Sequence, residues 1–141
     1  MKIQFKKLNV DAVVPRYARA NDAGADLYSV EDFTLPAASC APLSTGLAIA
    51  IPAGYVGLVH PRSGLATKGI TVMNAPGTID AGYRGEVKVI LANHTDKDYY
   101  FPKGSKIAQL VIQEVIEAEC VEVDELDSTE RGFDGFGSTG I

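Results

Sequence analysis

Residues 104–112 read GSKIAQLVI, and this stretch decides the fold class. Pro102-Lys103-Gly104 makes a turn, and the chain beyond it alternates with a period of two. Ile107, Gln109 and Val111 share one face of an extended strand, and Ala108, Leu110 and Ile112 share the other. Gln109 is thus a polar group among apolar neighbours, and it needs a partner, either a ligand or an adjacent strand. The same period recurs upstream. Ile3 and Phe5 alternate with polar residues, Leu47, Ile49 and Ile51 share a face, and so do Val87, Val89 and Leu91. Turn residues at Pro52-Ala53-Gly54 and Asn93-His94-Thr95-Asp96 punctuate these runs. Many short strands at this spacing predict an all-β sandwich, jelly roll or barrel. Only SGLATKG, residues 63–69, reads as a short helix, and there is no internal repeat.

The 141 residues suit one compact domain, with an ordinary apolar fraction of 46%. No apolar run approaches the roughly 18–20 residues of a membrane span, so no membrane partner is expected. MKIQFKKLNV lacks the apolar core and cleavage site of a secretory signal, which makes the cytoplasm the expected compartment. The net charge of −5 argues against a nucleic-acid surface, which draws its affinity from a basic excess. A small phosphorylated ligand needs only a few local cations and backbone N–H groups. Cys40 and Cys120 stand far apart without a CxxC partner, and two buried reduced thiols are expected.

Five stretches carry residue types suited to chemistry. AGADLYS (23–29) sets Asp26 after a glycine, either as a functional carboxylate or as a turn former at a strand start. PRSGLATKG (61–69) offers the planar fork of Arg62, the hydroxyl of Ser63 and close backbone approach at Gly64. The plain alternative there is a serine N-cap. NAPGTIDAGYRGE (74–86) reads as a hairpin that presents Asp80 at its end, with Tyr83 three residues on. A carboxylate held there can deprotonate water, or it is simply a solvated turn residue. GSKIAQL (104–110) contributes Gln109. The segment from Glu114 to Glu130 has eight acidic residues and no basic one, and reads as a solvated connector. The fifth stretch is RGFDGFGSTGI (131–141), with Arg131, Phe136, Ser138 and Thr139 among four glycines. It is either a frayed end or a lid that a ligand orders. No HxxE or HxxxH spacing points to a protein-ligated metal, and no GxSxG elbow accompanies Ser63.

Together and in this order, the five stretches resemble the signature of the trimeric dUTP diphosphatase (dUTPase) family, with PRSGLA and GTIDAGYRGE the nearest matches. The resemblance implies a jelly-roll-like β subunit over residues 1–130 and a flexible, glycine-rich tail over 131–141. It implies a homotrimer with shared active sites and Mg²⁺-assisted hydrolysis of dUTP to dUMP and pyrophosphate, which keeps uracil out of DNA and supplies dUMP for dTMP synthesis. Asp80 matches the base that activates water, and Tyr83 the ring that excludes a ribose 2′-OH. Asn74 and the backbone through Thr78, Ile79 and Asp80 match uracil and sugar contacts, and Lys88 matches a further binding position. Arg62, Ser63, Gly64 and Gln109 match phosphate contacts. Arg131 matches the γ-phosphate clamp, Phe136 the ring over uracil, and Ser138 and Thr139 the last phosphate donors. Asp26 matches a carboxylate that reaches Mg²⁺ through water, the metal being held mainly by the triphosphate. Three positions depart from the family pattern: LATKGI is one residue short, Lys106 replaces an arginine, and Asp134 replaces a glycine. The competing readings are a dCTP deaminase and a non-catalytic trimer that senses nucleotides or binds proteins. The complete hairpin motif and tail favour the diphosphatase.

Overall fold

In the computed structural model, which describes residues 1–135, the 104–112 alternation becomes a strand at the interior of a four-stranded sheet. The elements in chain order are β1 (Gln4–Lys7), β2 (Ala25–Tyr28), β3 (Phe33–Leu35), β4 (Ser39–Ala50), β5 (Tyr55–His60), α1 (Ser63–Ala66), β6 (Ile70–Val72), β7 (Gly77–Ile79), β8 (Glu86–Asn93), β9 (Tyr99–Phe101) and β10 (Lys106–Glu114). One sheet has the order β1-β4-β8-β6, a second β2-β10-β5-β7, and β3 pairs with β9. Every pairing is antiparallel. The two large sheets close on a common core. Leu43, Ile49, Val89 and Leu91 come from one sheet, and Leu27, Val59, Ala108 and Leu110 from the other. Phe101 and Leu35 of the small ribbon complete the core. This is the expected all-β, jelly-roll-like sandwich with one short helix.

Strict alternation fails in two strands, for a reason visible in each register. In β10, Lys106 opposes Tyr28 while Ala108 opposes Leu27, so Ile107 is an extra residue in a bulge. Ile107 is fully buried and joins Ala108 and Leu110 in the core, so it does not share the face of Gln109. In β4, Ser44 opposes Lys88 and Ala48 opposes Glu86, so the strand carries two residues more than its partner. Gly46 sits in that irregularity at φ +65°, and an added Cβ there would lie 2.8 Å from both Asn9 Cβ and a Val30 methyl. Thr45 stabilises the distortion by donating its hydroxyl to the Val87 carbonyl at 2.6 Å. The Gly46 N–H donates to the Glu86 carboxylate at 2.9 Å. The shift places Leu47 with Ala12 and Val30 in a second small cluster, apart from Ile49 and Ile51.

The 74–86 stretch is not a hairpin. Thr78 of β7 pairs with Leu58 of β5, whereas β8 pairs with β4 and β6. Residues 80–85 therefore turn a corner between the two sheets. Both cysteines are exposed and free, contrary to the expected burial. Cys40 lies at an exposed position of β4, and Cys120 lies beyond β10, outside the packed core.

Candidate active site

Asp80 stands at the sheet-to-sheet corner, just past the end of β7. Its carbonyl accepts the Tyr83 N–H at 3.0 Å, which closes the turn. The Tyr83 hydroxyl donates to the Glu86 carbonyl at 2.9 Å and fixes the ring over Gly85, where any Cβ would collide with it. Arg84 reinforces the corner by donating to the carbonyls of Ala81 and Tyr83, at 2.6 and 2.7 Å. Thr78, Ile79, Asp80, Tyr83, Glu86 and Lys88 line one cleft of about 580 Å³. Lys88 is 3.6 Å from Glu86 Oε2, whose other oxygen holds Gly46. The β4 irregularity and the cleft thus share one carboxylate. Asp80 and Tyr83 are exposed to solvent and open to a ligand.

A second cleft, of about 360 Å³, is lined by Asp22, Gly24, Asp26, Arg62, Ser63, Gly64, Lys106 and Gln109, with Ala18 and Ala23. Its geometry follows from register. Asp26 of β2, Gln109 of β10 and His60 of β5 lie opposite one another across the sheet, and the chain continues from His60 to Pro61 and Arg62. Gln109 donates to the Pro61 carbonyl at 3.0 Å, which meets its need for a partner and anchors the Arg62 loop. Gly24 makes room for it, because an added Cβ would overlap the Gln109 side-chain oxygen. Asp26 Oδ1 accepts Arg62 Nε at 3.1 Å, and Oδ2 pairs with Lys106 Nζ at 2.6 Å. The Lys106 ammonium is held above the ordinary lysine value, first by its hydrogen bond to Asp26 and then by the charge of that carboxylate. Arg62 is the N-cap residue of α1 and Ser63 the first helical residue, so the serine-cap alternative does not hold.

The two clefts share no lining residue. The structure gathers Thr78, Ile79, Asp80, Tyr83 and Lys88 in one, and Asp26, Arg62, Ser63, Gly64 and Gln109 in the other. Asn74 is exposed in the link between β6 and β7 and lines neither cleft, although Gly77 leaves space for its amide beside β7. Arg131 is exposed, and its Nε donates to the Asp134 carbonyl at 2.9 Å. Phe136, Ser138 and Thr139 lie outside the described residues. The motif reading left Gly24, Lys106 and Glu86 out of the site. AGAD gave a signal for Gly24, but its reason is a contact with Gln109, 85 positions away.

Among the described residues no three His, Cys, Asp or Glu side chains come together as a metal-holding group. The donor set fits a divalent ion that arrives with a polyphosphate, since the cleft wall offers only two carboxylates, Asp22 and Asp26, beside the cations Arg62 and Lys106. Each Asp26 oxygen has one cationic partner and keeps a second lone pair, with which it can accept a metal-bound water.

A β-sandwich with an exposed carboxylate beside a fixed tyrosine, and a separate cradle of arginine, lysine and glycine, places a group able to act as a base on the same chain as groups able to hold an oxyanion. The sequence model of the dUTPase family matches residues 11–140. The chain is 51% identical to the deoxyuridine 5'-triphosphate nucleotidohydrolase of Nautilia profundicola, over 99% of each chain. It is 53% identical to that of Thermobifida fusca, over 99% of this chain and 79% of the relative. The dUTPase of Staphylococcus bacteriophage 80alpha with dUPNHPP superposes with a TM-score of 0.92 at 33% identity, covering 99% of each chain. A mutant dUTPase of phage phi11, solved to show the coordination of a structural Mg(II) ion, superposes with a TM-score of 0.82 at 29% identity, covering 89% of this chain and 98% of the other. This chain belongs to the dUTPase family.

Proposed function

We propose that this protein hydrolyses dUTP to dUMP and pyrophosphate, and so keeps uracil out of DNA while supplying dUMP for dTMP synthesis. The observation that carries the reading is the pair of half-sites, the Asp80–Tyr83 corner and the Arg62–Asp26 cradle, on a chain whose relatives carry that name. Asp80 takes a proton from water, whose oxygen forms a bond to the α-phosphorus. The bond from that phosphorus to the bridging oxygen breaks, and pyrophosphate leaves with the electron pair. A positioned base of this kind contributes about 10²–10⁴-fold. Arg62, Ser63, Gly64 and Gln109 hold the phosphates, with the fork of Arg62 turning from Asp26 to the oxyanion. Mg²⁺ carried in with the triphosphate would offset its charge, and Asp26 would be the residue that holds the ion, through water. Tyr83, held by its bond to Glu86, packs under the deoxyribose and leaves no space for a 2′-OH. Asn74 and the backbone of Thr78, Ile79 and Asp80 bind the base and sugar, and Lys88 adds a further contact to the substrate.

The separation of the half-sites supports assembly as a homotrimer in which neighbouring copies complete each site. The segment after β10 exposes Ile116 at 89% and Leu126 at 87%, with Val121 and Val123 also exposed, which supports an arm that packs on another copy. Residues 1–130 form the β domain, and 131–141 the tail that closes the site with Arg131, Phe136, Ser138 and Thr139. No helix among the described residues is long and apolar enough to cross a membrane. The compartment we assign is the cytoplasm, with no nucleic-acid or membrane partner. The test is pyrophosphate release with Mg²⁺ across dUTP, UTP, dTTP and dCTP, with ammonia measured in parallel. Release from dUTP alone is expected. Ammonia from dCTP would favour the deaminase instead, and absence of pyrophosphate release from dUTP would revive the non-catalytic trimer.

A further inference from the structure

Another cleft, of about 400 Å³, adjoins Arg62, and the proposed reaction uses neither its Lys68 nor its Tyr99. It shares Arg62, Gly64 and Lys106 with the Asp26 cradle, so these residues form a common wall. Leu65 and Phe101, both buried, form its floor. Lys68 and Tyr99 also line it. Lys68 Nζ lies 3.5 Å from the Tyr99 hydroxyl oxygen and 5.9 Å from the ring centroid. Arg62 and Lys106 both pair with Asp26, whereas Lys68 has no carboxylate partner among the described residues. Three cations therefore face this cleft against one shared carboxylate, in a chain whose net charge is −5. Asp32 accepts the Lys103 N–H at 2.8 Å and does not pair with Lys68. The Tyr99 oxygen accepts from Lys68, so its own O–H remains able to donate. A local excess of cations, a hydroxyl donor and a small apolar floor suit a compact oxyanion rather than a nucleobase.

We propose that this cleft binds condensed phosphate, with pyrophosphate as its ligand, through Lys68 and Tyr99 and with Arg62 as the shared wall. The identity of the ligand rests on the function proposed above, because the oxyanion released beside Arg62 is then pyrophosphate. Added pyrophosphate held there draws on Arg62, and so inhibits dUTP hydrolysis through a site other than the one where the nucleotide reacts.

The experiment uses the full chain. Inorganic pyrophosphate is titrated calorimetrically into the nucleotide-free protein, and its inhibition of dUMP formation is measured separately. Loss of one charge-assisted contact in Lys68→Gln is expected to weaken pyrophosphate binding about tenfold and to change kcat and KM for dUTP by less than about twofold. Tyr99→Phe, which keeps the ring packed on Phe101, is expected to weaken binding by a smaller factor. Equal affinity in Lys68→Gln and the unmodified protein overturns the proposal. Binding that responds to Arg62→Gln but not to Lys68→Gln overturns it too, because the ligand then sits only in the cradle. Lys68-dependent binding in a protein that hydrolyses no dUTP would leave the site standing and refute the function.

Discussion

Gly24→Ala tests the link between the folded sheet and the phosphate cradle. The backbone at Gly24 does not itself demand glycine. What demands it is Gln109, whose Cδ would lie 2.9 Å and whose Cβ would lie 3.1 Å from the new methyl. Two responses compete. If Gln109 stays, overpacking costs about 1–3 kcal/mol. If it rotates away, it gives up its bond to the Pro61 carbonyl, worth about 0.5–1.5 kcal/mol. The second response is cheaper, so the variant folds with Gln109 displaced and the Pro61–Arg62 loop untethered. A loss of about 1 kcal/mol lowers Tm by roughly 2–6 °C in a domain of this size. If the tether's energy is realised fully in phosphate binding, kcat/KM for dUTP falls about fivefold, carried mainly by KM. Pyrophosphate release and thermal unfolding are measured on Gly24→Ala, Gln109→Ala and the double variant. The double variant should lie close to Gln109→Ala alone, because the overlaps with the amide oxygen and Cδ are gone and only the 3.1 Å approach to Cβ is left. Fully additive effects, or unmodified kinetics in Gly24→Ala, would refute the reasoning.

Asp80→Asn should lower kcat by about 10²–10⁴-fold while keeping dUTP affinity, as read by single-turnover kinetics and calorimetry; normal turnover would remove Asp80 from its role. Tyr83→Ala should relax discrimination between dUTP and UTP, and an unchanged selectivity ratio would show that the ring does not exclude ribose. Truncation before Arg131 should leave the assembly intact on light scattering but abolish turnover; a monomer would make the tail structural. Lys106→Gln probes the pair with Asp26 through pH. The folded-state value of Lys106 is raised above the ordinary 10.5 by Asp26, so the pair's contribution is complete below that value and disappears as pH rises through the raised one. The Tm difference between Lys106→Gln and the unmodified protein should therefore hold steady from neutral pH and shrink only in strong alkali, and a difference that disappears near neutrality would contradict the ion pair.

The sequence by itself determined the class of structure and the types of residue at the site. Period-two runs such as Val87-Val89-Leu91 specify strands because alternation is a local property of an extended chain, and those residues are buried as read. The motif spacing brought Arg62, Ser63 and Gly64 together, since they are contiguous, and Asp80 with Tyr83, since one turn holds both. Tertiary structure decided the rest. Ile107 left the face of Gln109 because its partner strand has no residue to oppose it. Residues 74–86 looked like a hairpin, and the two strands that flank the corner joined different sheets, because sheet membership depends on partners distant in the chain. Cys40 and Cys120 are exposed for the same reason, as a thiol's burial is set by what covers it and not by its own polarity. Only the folded sheet shows that Gly24 exists for Gln109 and that Arg62 and Lys106 divide one carboxylate, because these residues meet across strands and share no local spacing.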